Sequence, residues 1–183
     1  YSAIRMLDRE RLNIMTLEDP VEYRLPGIRQ SQIAEKAGYT FAGGLRSLLR
    51  QDPDVILLGE MRDSETAEIA GRAALTGHLV LSTLHTNGAI GSLARLRDLG
   101  IEDFLMATTL AGILAQRLVR KLCPECSRVR PANDAERHFL GVPTKTPLEL
   151  REAVVCAACQ GAGFKNRFAV YELLEISTAL ARI

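Results

Sequence analysis

Two short apolar runs without alternation, Val55-Ile56-Leu57-Leu58 and Leu79-Val80-Leu81, constrain the fold of this chain more than any other feature. A strand with one solvent face alternates apolar and polar residues. A run that does not alternate, and is too short for a helix, reads as a strand covered on both faces, as in a parallel α/β sheet. Each run ends in a polar tip: Gly59-Glu60-Met61-Arg62-Asp63 after the first, Ser82-Thr83-Leu84-His85-Thr86-Asn87 after the second. In open parallel sheets ligands bind beyond the carboxyl ends of the strands. Glu60, Arg62, Thr83 and His85 are therefore expected at one chemically active edge.

The spacing around these runs predicts the remaining elements. The opening Tyr1-Ser2-Ala3-Ile4 already shows helical periodicity, which suggests that the chain starts inside a helix and is a fragment. Leu12 to Leu17 reads as a strand ending at Glu18-Asp19-Pro20, and the alternation from Val21 to Ile33 around Pro26-Gly27 as a hairpin or edge excursion. Phe41 to Gln51 is a helix stopped before Asp52-Pro53. Asp63 is an N-cap for a helix to Ala74, with Glu65 in its first turn, and Ala89 to Leu99 forms a helix closed by Gly100. Phe104, Ala107, Ala111, Leu114, Leu118 and Leu122 recur at three and four, predicting one long amphipathic helix. That stretch carries Thr108, Thr109 and Gln116 and falls short of the roughly 20 apolar residues of a membrane span. A formal net charge of +1 offers no electrostatic footprint for nucleic acid, and none is expected as a partner.

The chain has four cysteines, Cys123, Cys126, Cys156 and Cys159, arranged as C-x-x-C, twenty-nine residues, C-x-x-C. Two such turns supply the four thiolates of a closed tetrahedral zinc site, with each sulfur about 2.3 Å from the metal. A pair of disulfides is the alternative, but nothing marks the chain as secreted. Between the pairs, Pro131 to Arg151 holds too few large apolar residues for its own core, so metal binding would be coupled to folding. Gly161 to Arg167 reads as a basic turn and Phe168 to Ile176 as a strand returning to the main body. This divides the chain into 1–122, an α/β core; 123–167, a tetracysteine insert; and 168–183, a return strand and the start of a helical region.

Glu18, Asp19 and Glu60 end two different strands, where they can hold a divalent cation and position a water for in-line attack on a phosphoryl group. Helix capping and surface pairing are the competing uses of such carboxylates. Glu60 follows Leu-Leu-Gly, and Gly59 stands where a nucleotidase usually carries an acidic residue. His78 opens the second strand and His85 follows it; Thr83 and His85 can hydrogen-bond a phosphate or an attacking water. The phosphate-cradling pattern G-x-x-x-x-G-K-[ST] does not occur in the chain, so these residues alone are not expected to bind or hydrolyse nucleotide appreciably.

In this order the motifs resemble those of the ATPases of bacterial type II secretion and type IV pilus assembly. Thr16 to Tyr23 is similar to their aspartate box, Leu48 to Asp63 to their Walker B region, and Thr76 to Asn87 to their histidine box. The resemblance covers nearly the whole chain and implies a RecA-like P-loop core lacking its Walker A segment, which would lie just before Tyr1. The cysteine pairs resemble the zinc insert of type II secretion ATPases, and Arg95 to Glu102 with Ala115 to Arg120 leans the same way. By this resemblance Glu60 takes the Walker B glutamate role, Glu18 and Asp19 the aspartate-box role near magnesium, and His78 and His85 the histidine-box role; Glu60, Glu18, Asp19 and His85 are then the expected catalytic residues, and Thr83, His78 and Arg62 the expected nucleotide-binding ones. It implies ATP, Mg2+ and structural zinc as cofactors. It also implies a homo-hexamer in the cytoplasm, peripheral to the inner membrane, working with the platform and cytoplasmic-domain proteins of the machinery. A pilus-assembly ATPase and a non-catalytic zinc-ribbon interaction module are the alternatives.

Overall fold

The computed structural model describes residues 1–177 and Ala179. They form two compact units, Tyr1–Ala115 with the described residues from Glu172 onward, and Gln116–Tyr171.

The first unit is built on a four-stranded, wholly parallel sheet of β1 (Ile14–Glu18), β2 (Arg29–Gln32), β3 (Val55–Leu58) and β4 (Leu79–Ser82), in the order β2-β1-β3-β4. Alternate residues of the inner strands serve two separate cores, which is why β3 does not alternate in polarity. Met15, Leu17, Ile56 and Leu58 pack with Phe41, Leu45 and Leu48 of α2 (Phe41–Leu48) and Ala70 of α3 (Ser64–Leu75). Ile14 and Val55 point the other way, to Ile4 of α1 (Ser2–Arg5) and Leu25. Leu17, Ile56 and Leu58 are fully buried, each contributing roughly 1.5–3 kcal/mol by leaving water. As expected, Asp63 caps α3, its carboxylate accepting from the Thr66 N–H at 2.7 Å and the Thr66 hydroxyl at 2.8 Å. Then follow α4 (Ala89–Asp98), whose first N–H donates to Glu172 at 3.0 Å, and α5 (Asp103–Thr109).

Of the two readings of segment 21–33 the edge excursion holds and the hairpin does not: β2 is an edge strand paired parallel to β1, Thr16 opposite Gln30, and its polar residues hold the loop that precedes it. Two expectations are corrected. β4 is not covered like β3; it ends the sheet, and Leu79 is 44% exposed. The long helix after Phe104 stops at Thr109, and Gly112–Leu122 is a strand, β5. Leu114, Leu118 and Leu122 lie four apart, a spacing that also places them on one face of a strand, and β-branched Ile113 and Val119 favour the extended form.

In the second unit β6 (Arg128–Pro131) pairs antiparallel with β7 (Glu149–Glu152), and α6 (Asp134–Phe139) opens with a capping box between Asn133 and Glu136. Arg130 joins them, donating to Glu136 at 2.8 Å and to Glu152 at 2.9 Å. The guanidinium beside it holds the Glu136 carboxyl down at about 2. β8 (Phe164–Glu175) pairs with β5 and begins before the expected Phe168. The helical region expected at the end of 168–183 falls largely outside the described residues, among which no helix is long and apolar enough to cross a membrane.

Candidate functional site

Because β1, β3 and β4 run parallel, the residues just after them meet at one edge of the sheet. Glu60, with a side chain only 12% exposed, is gripped from two sides: Arg62 Nη2 lies 2.5 Å from Oε1 and His85 Nε2 donates to Oε2 at 3.2 Å. The other guanidinium nitrogen of Arg62 faces Asp19 at 3.9 Å, so one arginine bridges the tips of β1 and β3. The tips of β3 and β4 are tied by the Thr83 hydroxyl donating to the Gly59 carbonyl at 2.6 Å and the Met61 N–H donating to the Thr83 carbonyl at 3.2 Å. Asp19, Glu60, Arg62, Thr83 and His85 are thus brought together.

Gly59 has a physical explanation here. Its N–H donates to the Leu17 carbonyl at 2.7 Å, and a Cβ would lie 3.3 Å from that carbonyl oxygen and from Glu18 Cα. These neighbours are backbone and cannot swing aside, so a side chain here requires the β1 tip to give by a few tenths of an ångström. Gly59→Ala should therefore destabilise the fold: overpacking of about 1–3 kcal/mol outweighs the roughly 0.4–1 kcal/mol gained from a stiffer unfolded chain. Chemical denaturation of the variant measures the difference.

The Arg62 hydrogen bond holds the Glu60 carboxyl below the usual carboxylate range, with His85 assisting and burial opposing. Since the folded value lies below the unfolded one, the pairing stabilises the fold above the unfolded titration and is lost as pH falls through the folded value. Arg62 is half exposed, so solvent screening limits the contribution. Arg62→Gln is expected to move the Glu60 titration upward, read by carboxyl carbon NMR.

Glu18 closes β1 at this same edge but its side chain has other partners, and His78 lies elsewhere. Glu18 is 3% exposed, its carboxylate accepting from Tyr1, Thr16 and Gln30, partners that spacing along the chain does not reveal. His78 precedes β4 and so sits at the opposite, amino edge of the sheet. Its Nδ1 donates to the Ala73 carbonyl at 2.9 Å, and it lines a groove with Leu12, Asp54 and Thr76. Among the described residues Glu18, Asp19 and Glu60 do not converge as one set of metal ligands.

The four cysteines do converge. Their sulfurs all lie within 4.8 Å of one another, with Cys123–Cys156 and Cys126–Cys159 at 3.9 Å and Cys156–Cys159 at 3.7 Å. A regular tetrahedron of sulfurs about 2.3 Å from a metal has edges of about 3.8 Å, so the set fits one ion. The N–H groups of Cys156 and Gly163 point at Cys159 Sγ from 3.3 and 3.2 Å and pull its thiol down to about 6, favouring the thiolate that a metal requires. Burial pushes Cys126 up to about 12.

A sequence profile described as Type II/IV secretion system protein matches residues 1–183. The chain belongs to this family. It is 53% identical over 174 residues to type II secretion system protein E of Pseudomonas aeruginosa, a match covering 95% of this chain and 35% of that protein. With type II secretion system ATPase E of Vibrio cholerae it shares 48% over 183 residues, 100% of this chain and 36% of the relative. The chain thus spans about a third of the length of these relatives. Among solved structures, the pilus retraction motor PilT with bound ADP superposes with a TM-score of 0.65 at 34% identity, over 93% of this chain and 40% of that one. The Legionella pneumophila ATPase DotB, at 24% identity, TM-score 0.61 and 95% and 41% coverage, shares the fold. The core therefore shares the fold of these ATPases.

Proposed function

We propose that this chain is part of an ATP-hydrolysing motor subunit that drives pseudopilus assembly and protein secretion through a type II secretion system. The reading is carried by the convergence of Asp19, Glu60, Arg62 and His85 at the carboxyl edge of the parallel sheet, where such folds bind ligands. In this reading Glu60 orients the water that attacks the terminal phosphate, Asp19 supplies negative charge on the magnesium side, and Arg62, Thr83 and His85 report on the nucleotide's phosphates. Magnesium, when bound with ATP, offsets the charge on the phosphates. The phosphate-cradling loop is no part of these residues, so the reading concerns the full-length protein; the chain by itself is inactive. The cysteine quartet holds zinc and fixes the insert, 123–167, rather than taking part in turnover. The resemblance supports a homo-hexamer on the cytoplasmic side of the inner membrane, engaged with platform and cytoplasmic-domain proteins of the machinery. Secretion is favoured over pilus assembly because relatives at about half identity carry the type II secretion name, whereas the pilus motor stands at 34%. The test is Mg2+-dependent release of phosphate from ATP by the full-length protein; none at all would refute the reading.

A further inference from the structure

We infer that Tyr1 and Gln30 are positioning residues for this nucleotide site and act through Glu18, an inference that rests on the ATPase reading above. Glu18 closes β1, one residue before Asp19, and is 3% exposed. Its three partners are neutral donors: Thr16 and Gln30 on Oε1, the latter at 3.1 Å, and the Tyr1 phenol on Oε2. A buried carboxylate is costly unless its lone pairs are satisfied, and three of about four acceptor positions are used here. The arrangement therefore fixes the direction of the carboxylate.

The two outer partners are themselves pinned. The Gln30 amide donates to the Tyr23 carbonyl at 3.2 Å and accepts from the Leu25 N–H at 2.6 Å, which determines its orientation. The Tyr1 oxygen accepts from the Glu22 N–H at 3.2 Å, and its ring meets Tyr23 edge to face at 4.6 Å. One carboxylate thus gathers the start of α1, the loop 19–25 and the edge strand β2. This also accounts for β2, a strand of Arg29-Gln30-Ser31-Gln32 with no apolar face to bury. The effect reaches the site through the chain: Asp19 follows Glu18 and faces Arg62, which holds Glu60.

The test compares full-length wild type, Gln30→Met, Glu18→Gln and the double variant in ATP hydrolysis. Gln30→Met keeps the bulk of the side chain and removes its amide. It should lower kcat roughly tenfold or more, as small misplacements of reacting groups do, with KM for ATP within about twofold. In the Glu18→Gln background the same change should have no further effect. Where Glu18→Gln alone is too slow to read, amide exchange replaces kcat: Gln30→Met should speed exchange at Leu25 and Glu22, and Tyr1→Phe at Glu22. An unchanged kcat in Gln30→Met, an equal loss in both backgrounds, or unchanged exchange would overturn the inference. Absence of hydrolysis by wild type would instead remove the ATPase reading itself.

Discussion

Glu60→Gln in the full-length protein is expected to lower kcat for ATP hydrolysis by about 10²–10⁴-fold, the range usual for a lost proton acceptor, while nucleotide affinity stays within a few fold. Glutamine matches the carboxylate in shape, so the space between Arg62 and His85 remains filled. What disappears is the negative charge and the ability to take a proton from water. Arg62 loses its closest partner but is half exposed, so the released guanidinium is taken up by solvent at little cost. The loss of turnover should therefore come with an almost unchanged melting temperature. Since the interaction is needed for the chemical step and not for holding nucleotide, kcat and kcat/KM should fall together. Single-turnover hydrolysis and equilibrium nucleotide binding separate the two. If hydrolysis and secretion both survive the substitution, the motor assignment fails and a binding role for this edge takes its place.

The edge was legible before any coordinates because direction is a property of the whole parallel sheet: once Val55–Leu58 and Leu79–Ser82 are strands, everything just after them shares one edge. Asp19, Glu60, Arg62, Thr83 and His85 follow from that rule. The same rule sends His78, which precedes its strand, to the far edge. Asp63 was readable as a cap because an N-cap is a local bond between neighbours in sequence. The residues 112–122 were misread because leucines four apart satisfy both a helix and a strand, and only the partner strand β8 decides between them. Gln30 left no local trace at all. Its meaning depends on lying opposite Thr16 in a parallel pair, a relation between segments that no spacing along one segment encodes.

Removing metal from the cysteine quartet is expected to unfold the insert and leave the sheet intact. Among the described residues of Gln116–Tyr171, the buried apolar side chains are Cys123, Ala132 and Cys159, far too few to offset the entropy of ordering the segment. The partly buried ion pairs of Arg130 bury little apolar surface and do not replace a core. The stabilising free energy must come from the four sulfurs, and structural zinc is worth on the order of 10 kcal/mol in small modules. Full-length protein should carry one zinc per subunit. Chelation, or Cys123→Ser at a fully buried ligand position, should raise amide exchange at Cys123, Ser127 and Ala132, whose N–H groups are bonded across this unit, by several orders of magnitude. Exchange at Gly59 and Leu79, in the sheet, should not change. Metal affinity should also fall as pH drops, because every ligand must be deprotonated to bind. Retention of the same exchange pattern after complete zinc removal would mean that the insert holds itself together, and the four sulfurs would then be paired for a purpose other than folding.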